Sequence, residues 1–216
     1  MKIFGYIAAF LFGVVIEATD YKFLTKEIKW TDILSAVANV GTAIIVYMTY
    51  VKWLESKKRE DAYQTSKEYI SCLVNISELI NDLMYPLENT VPQAGNLAIN
   101  PEQSNYLLAD SNEAFQKLIY KKQQLAKVKS ELKFWGVRLA PEFETNHDLI
   151  LHKLEDVFVV TGVLKNQIHR YYNVDESNKS SMLNEFSKLK VMVAKVNKIL
   201  NSRYKRNYSD FFLHGK

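Results

Sequence analysis

The chain has 216 residues, enough for one or two domains with a hydrophobic core. Its 7 glycines and 4 prolines are few for a fold rich in turns, and its single cysteine, Cys72, excludes an intramolecular disulfide. The net charge of +4 lies entirely after residue 51, because four lysines up to that point are matched by four acidic residues. So mild an excess permits an acidic partner without requiring one.

The first apolar segment begins at the N-terminus and carries no charge from Ile3 to Ile16. Extended to Ala18 it would be about 24 Å long as a helix, so it needs snorkelling by Lys2 or local thinning to cross a bilayer. A cleaved signal peptide is the alternative. A cut after Ala18 would put the bulky Ile16 at the −3 position, which favours a retained span over residues 3–18.

The second apolar segment, residues 33–51, contains 19 uncharged residues. As a helix it measures about 29 Å, close to the ~30 Å hydrocarbon core of a membrane. Trp30 and Trp53 flank it, as is typical of the headgroup level. A buried core helix is the alternative, but no polar residues mark a solvent-facing side. The segment is predicted to be a second membrane span.

The basic residues that follow the second span predict its orientation. Lys52, Lys57, Lys58 and Arg59 cluster there, whereas the connector of residues 19–32 has three lysines and as many acidic residues. The positive-inside rule therefore places both termini in the cytoplasm and the connector outside. We expect residues 1–54 to form a transmembrane hairpin and residues 55–216 a cytoplasmic domain.

Both predicted spans carry faces of small or weakly polar residues, which let helices approach closely in lipid. Asn39 lies near mid-depth, where an unpaired amide is costly. These faces fit packing of one span against the other within a chain, or oligomerisation around a polar path or pore. The residues concerned are Gly5, Ala9 and Gly13 in the first span and Ser35, Asn39, Thr42 and Ala43 in the second.

The rest of the chain shows apolar residues at spacings of four and three, the pattern of amphipathic helices. The first helix continues from the second span until Pro86 and Pro92 end it; the second covers about 102–135, with Gly136 as its C-cap. The third carries nine core positions from Phe143 to Tyr171, and a polar turn at 173–177 precedes the fourth, from Met182 to Leu200. The fold is predicted to be all-α: two N-terminal transmembrane helices followed by a cytoplasmic antiparallel bundle of about four long helices. Intermolecular coiled coils are the alternative, no strand is expected, and residues 208–216 are predicted to be a disordered tail.

The sequence shows no catalytic signature, phosphate-binding loop or paired-histidine zinc motif, so we expect a protein that is not an enzyme and has no cofactor or metal. His147 lies on an apolar helix face and is predicted to be a hydrogen-bonded core residue. Cys72 is expected to act as a small buried hydrophobe. Asp148, His152 and Asp156 share a helix face that is more typical of a solvated surface than of a metal site.

The last helix is strongly basic, and aromatic residues accompany or follow its cations. Such a surface fits a nucleic-acid or nucleoprotein contact, contact with anionic lipid, or simply a solvated helix face. The second helix has a similar character, with five lysines from Lys121 to Lys133. The residues predicted to make the partner contact are Lys188, Lys190, Lys195, Lys198, Arg203, Tyr204, Lys205 and Arg206, followed by Tyr208, Phe211 and Phe212.

This layout of a short first span, an outer connector, a second span and a basic helical domain resembles the two-span transmembrane effectors of bacterial anti-phage systems, of the kind associated with retrons. The resemblance implies an effector toxin of the bacterial inner membrane, held inactive by a reverse transcriptase and its DNA–RNA product and acting by membrane disruption on release. It carries over no site residue. The alternative is a membrane-tethered scaffold or adaptor that docks a cytosolic partner, its spans serving only as anchors.

Overall fold

The computed structural model describes residues 30–93, 99–202 and 206–214. Contacts divide the chain into two units, which meet in the sequence between Lys57 and Lys58. The first predicted span and its connector lie outside the described residues. Almost all described residues are helical, so the all-α prediction is confirmed.

The first helix, α1, runs from Trp30 to Thr90 and is 61 residues long. It contains the whole of the predicted second span. The prediction that Pro86 helps to end this helix is wrong, since Pro86 lies inside α1 and the helix stops four residues later. A proline this close to the end removes one intrahelical hydrogen bond and leaves few turns to disrupt. The hydroxyl of Thr90 donates to the Pro86 carbonyl at 2.7 Å and so satisfies one acceptor of the last turn.

Three further long helices follow, α2 (Pro101–Phe134), α3 (Pro141–Asn173) and α4 (Lys179–Ser202). Their ends are set by local chemistry. Asn100 forms a capping box with Gln103 at the start of α2, and both α2 and α3 begin with a proline, which suits a first turn. Gly136 has φ of 76°, the left-handed conformation expected for the glycine after a helix. The predicted polar turn contains a short 3₁₀ helix, Glu176–Asn178.

Residues of the second unit form an antiparallel helical bundle. Polar contacts fix the directions: Glu68 of α1 meets Gln124 of α2 at 2.8 Å, and Lys129 of α2 meets Asp148 of α3 at 2.9 Å. Gln167 of α3 donates to Ser181 of α4 at 2.9 Å, across the turn that joins the two helices. Within the second unit, which begins at Lys58, each contact joins a residue nearer the start of one helix to one nearer the end of its neighbour, as an up-down arrangement requires.

The predicted core positions of α3 and α4 agree closely with the structure. Every one of them from Phe143 to Ile168, and from Met182 to Leu200, is buried, and Tyr171 is half-buried. In the first half of α2, Ser104, Ser111 and Ala114 are the buried residues, whereas larger neighbours such as Leu108 are only partly covered. Small side chains let helix backbones approach closely, so the centre of a seam does not need the most apolar residue.

Two predictions for the C-terminal part are wrong, namely that residues 208–216 are a disordered tail and that the chain has no strand. Tyr208–Phe211 form a short helix, α5, and Phe212–His214 form a strand, β2. β2 pairs antiparallel with a strand between α2 and α3, β1 (Val137–Leu139), and Arg138 faces Leu213 in the register. Three-residue strands are too short for an alternating pattern to reveal, and this pairing joins segments far apart in the sequence.

Candidate membrane segment and basic surface

The predicted second span presents an uncharged and largely apolar surface. Every residue from Ser35 to Tyr50 is exposed except the half-exposed Gly41, and Val37, for example, is 67% exposed. By length and composition, α1 has one stretch apolar enough to cross a membrane. So many exposed apolar side chains without a charge are unfavourable in water and favourable in a hydrocarbon core.

One face of this stretch is weakly polar. Ser35, Asn39 and Thr42 follow spacings of four and three, and Ala43 lies beside them. The Thr42 hydroxyl donates to the Ala38 carbonyl at 2.8 Å and so needs no partner from another helix. The Asn39 amide makes no hydrogen bond to any residue that the structure describes, which leaves both of its polar atoms for a group outside these residues.

This face has one more polar residue that was not predicted from the sequence. Thr49 lies seven residues after Thr42, and its hydroxyl donates to the Ile45 carbonyl at 2.8 Å. The spacing alone would have revealed it. Gly5, Ala9 and Gly13, the predicted packing residues of the first span, lie outside the described residues. How the two spans pack stays a prediction.

The cations of α4 fall into two groups. Lys190 reaches Glu88 of α1 at 3.4 Å and lies 4.7 Å from the ring centre of Phe186. Lys188 pairs with Glu185 at 2.6 Å, and Lys195 and Lys198 are exposed and form no ion pair within the described residues. Spacings of seven and three place Lys188, Lys195 and Lys198 on one face of α4, away from Lys190.

Of the last four residues of the predicted basic segment, the structure describes only Arg206. Arg206 pairs with Glu142 of α3 at 3.2 Å, whereas Arg203, Tyr204 and Lys205 lie outside the described residues. Phe211 and Phe212 are 4% and 3% exposed, so the prediction that they accompany the cations at a binding surface is wrong. They pack inward: the rings of Phe211 and Phe143 stack with centres 3.9 Å apart.

The lysines of α2 are largely committed to neighbouring acids. Lys122 pairs with Glu155 of α3, and Lys129 pairs with Asp148 of the same helix. Lys127 pairs with Glu131 within α2 at 3.5 Å. The basic character of this helix therefore serves contacts inside the bundle to a greater extent than its composition suggests.

The predictions for His147 and Cys72 are confirmed. His147 is 2% exposed, and its Nδ1 lies 3.0 Å from the hydroxyl of Tyr69 on α1. Burial, with a smaller contribution from the Lys129 charge, lowers the pKa of His147 to about 4, so the imidazole is neutral. Cys72 is buried, and burial raises the pKa of its thiol, which favours the unreactive protonated form.

No group of three metal-ligating side chains occurs among the residues that the structure describes. The two carboxylates of the face considered for a metal, Asp148 and Asp156, pair instead with Lys129 and Lys153 at 2.9 and 2.8 Å. His152 on the same face is exposed and lies 4.0 Å from Glu155. This face is a solvated charged surface.

No protein family, curated protein or solved structure matches this chain. The apolar stretch of α1 and the surfaces of the bundle are therefore the features that bear on function.

Proposed function

We propose that this protein is an integral inner-membrane effector whose cytoplasmic bundle is held inactive by a cytosolic partner and whose spans disrupt the membrane on release. The observation that carries the proposal is the largely exposed, uncharged surface of residues 35–50. Only a lipid environment or close helix partners would cover such a surface favourably.

The aromatic and basic residues that follow the stretch support a membrane location. Tyr50 and Trp53 are exposed, and their rings stack with centres 6.1 Å apart. Amphipathic rings favour the headgroup region, and the basic cluster from Lys52 to Arg59 favours the cytoplasmic side. If residues 3–18 also cross the membrane, the chain is a multi-pass protein with both termini in the cytoplasm.

The weakly polar face supports an active role for the span in the membrane. An amide at mid-depth gains from a partner amide or backbone group on another helix. Asn39 has no such partner among the described residues, so assembly of several chains would satisfy it. We propose homo-oligomerisation through Ser35, Asn39, Thr42 and Ala43, with Gly5, Ala9 and Gly13 packing the first span.

Lys188, Lys195 and Lys198 are the part of the basic surface best placed to receive a partner. Their shared face is exposed, and two of them lack an ion pair within the described ranges. Cations on one helix face suit a polyanion such as a nucleic acid or nucleoprotein. The resemblance in layout to retron-associated effectors makes a reverse transcriptase with its DNA–RNA product the partner that we propose.

Induced expression without the partner tests the effector role. We expect loss of membrane potential in the host, measured with a potential-sensitive dye, and we expect Asn39→Leu to abolish it. Val40→Leu is the matched control, since it adds similar bulk beside the polar face and should leave depolarisation intact. Unchanged depolarisation with Asn39→Leu would contradict the role of this face.

A scaffold with inert anchors is the second candidate. The hydroxyls of Thr42 and Thr49 donate within their own helix, so two of the four polar side chains on this face already have a partner without another span. An anchor would be harmless when expressed alone. Replacing residues 33–51 with an unrelated span would preserve its function, whereas an effector would lose activity.

A further inference from the structure

An aromatic side chain protrudes at one end of the bundle. Phe134 is the last residue of α2, and at 76% exposure it is the most exposed of the large hydrophobic side chains that the structure describes. Its ring meets that of Trp135 edge to face, with centres 4.9 Å apart. Trp135 is partly buried against the core, so the Phe134 ring contacts a packed side chain on one side and is exposed on the other.

The β1–β2 ribbon adds a second exposed apolar group at the same end. Arg138 and Leu213 are paired across the ribbon, and both are exposed. The neighbouring Val137, Leu139 and Phe212 are buried. Side chains alternate along a strand, so the ribbon covers the core with one face and presents Arg138 and Leu213 on the other.

The cations of this end are available for an external anion. Lys133 and Arg138 are exposed, and neither forms an ion pair with a described residue. Two nearby acids have cations of their own: Glu131 pairs with Lys127, and Glu142 pairs with Arg206. Two positive charges without an ion pair to a described residue therefore lie beside exposed Phe134 and Leu213, although Asp61 and Glu68 line the groove next to Trp135. Cations beside exposed apolar side chains match anionic headgroups above an acyl layer.

We propose that the ribbon-end surface, made of Lys133, Phe134, Arg138 and Leu213, docks onto anionic lipid of the membrane that residues 33–51 cross. The inference rests on the span in the proposed function and adds a second, peripheral lipid contact. Lipid is favoured over a protein because of the chain itself. Trp135 lines the same groove as Asp61, and only ten residues of chain separate Asp61 from Val51, so the chain between them can span at most about 35 Å, which leaves the groove within reach of a membrane crossed by residues 33–51.

A single-tryptophan experiment tests this docking in the full chain. Trp30→Phe, Trp53→Phe and Trp135→Phe remove the native tryptophans, and Phe134→Trp then places the only one at the ribbon-end surface. Tyr106→Trp in the same background is the matched control: Tyr106 is 68% exposed and lies on the same helix, about 42 Å from Phe134. Both chains are reconstituted into phosphatidylcholine vesicles with or without phosphatidylglycerol, with a bromine label high on the acyl chain.

We expect the bromolipid to remove about half or more of the emission of the Phe134→Trp reporter in vesicles with phosphatidylglycerol. Quenching should be weaker without the anionic lipid, and it should fall again when Lys133→Gln and Arg138→Gln are added. The Tyr106→Trp reporter should be unaffected in every vesicle.

Two outcomes would overturn the inference. One is equal quenching of the Phe134→Trp and Tyr106→Trp reporters. The other is protection of the Phe134→Trp reporter from acrylamide without lipid quenching, which would mean that a protein or a second copy covers the surface. A chain that keeps only Trp53 separates the proposals. If the bromolipid quenches Trp53 but not the Phe134→Trp reporter, the membrane span is supported and the docking is refuted. If it quenches neither, membrane insertion itself is refuted.

Discussion

The buried contact between His147 and Tyr69 predicts how the stability of the bundle depends on pH. Burial and the Lys129 charge lower the pKa of His147 to about 4, against an ordinary value of 6.5, although Asp148 and Glu144 oppose them. The unfolded chain thus binds a proton at a pH where the folded chain does not. The stabilisation is complete above pH 6.5 and is lost as the pH falls towards the folded pKa. Between about pH 7.5 and about pH 5 the loss from this residue is about 2 kcal/mol.

Urea unfolding of the full chain in a mild non-ionic detergent measures this loss, with far-UV circular dichroism as the signal at a series of pH values. His147→Gln removes the titration and keeps a side chain that can hydrogen-bond to Tyr69, so its stability should change less over this range. His152→Gln is the matched control, because His152 is 67% exposed on the same helix and should leave the slope as it is. Equal slopes for the wild type and His147→Gln would refute the reasoning.

Three further predictions concern the stability of the same domain and use the same unfolding assay. Phe211→Ala should cost about 3–5 kcal/mol because the ring is buried, whereas Leu213→Ala on the exposed face of the ribbon should cost about 0.5 kcal/mol or less; equal costs would contradict the packing of the C-terminal segment. Gly136→Ala should cost about 1 kcal/mol because φ is positive there, and Gly136→Asn should cost less; identical stabilities would contradict that backbone conformation. Lys122→Ala should change stability by less than about 1 kcal/mol, since the Lys122–Glu155 pair is partly exposed; a larger loss would show a stronger ion pair.

The helices of the bundle follow from the sequence because their signals are local and repeated. The apolar positions of α3 and α4 recur every three or four residues, and Gly136, Pro141 and the polar turn mark where helices stop and start. The buried residues in the first half of α2 do not follow from such a pattern. Leu108 is more apolar than Ser104, yet the serine lies at the centre of the seam, which depends on how closely neighbouring helices approach.

The C-terminal segment shows what local patterns miss. Phe211 and Phe212 are too few to define a helix or strand, and their partners, Phe143 and Tyr69, lie at least 68 residues away in the sequence. A cluster of aromatic residues after a basic helix resembles a binding surface as much as a core. The pairing of β2 with β1 shows that these aromatic residues belong to the core.

The candidate surfaces likewise include features that follow from the sequence and features that depend on the fold. The uncharged character of residues 33–51 is a property of composition and was evident from the sequence. Which lysines of α4 are available is a property of the fold, since the partner of Lys190 is Glu88 on another helix. The exposed Phe134 was likewise hidden, because the sequence places an aromatic residue at the end of α2 without showing which way it points.

Labelling of single cysteines tests most directly whether residues 33–51 cross the membrane. In a chain with Cys72→Ala, one cysteine is introduced in the connector as Thr25→Cys, and another is introduced in the bundle as Ser209→Cys in a separate chain. A membrane-impermeant maleimide added to intact spheroplasts should label the first and should label the second only after lysis. Labelling of both before lysis, or of neither, would contradict a span at residues 33–51 with the bundle in the cytoplasm.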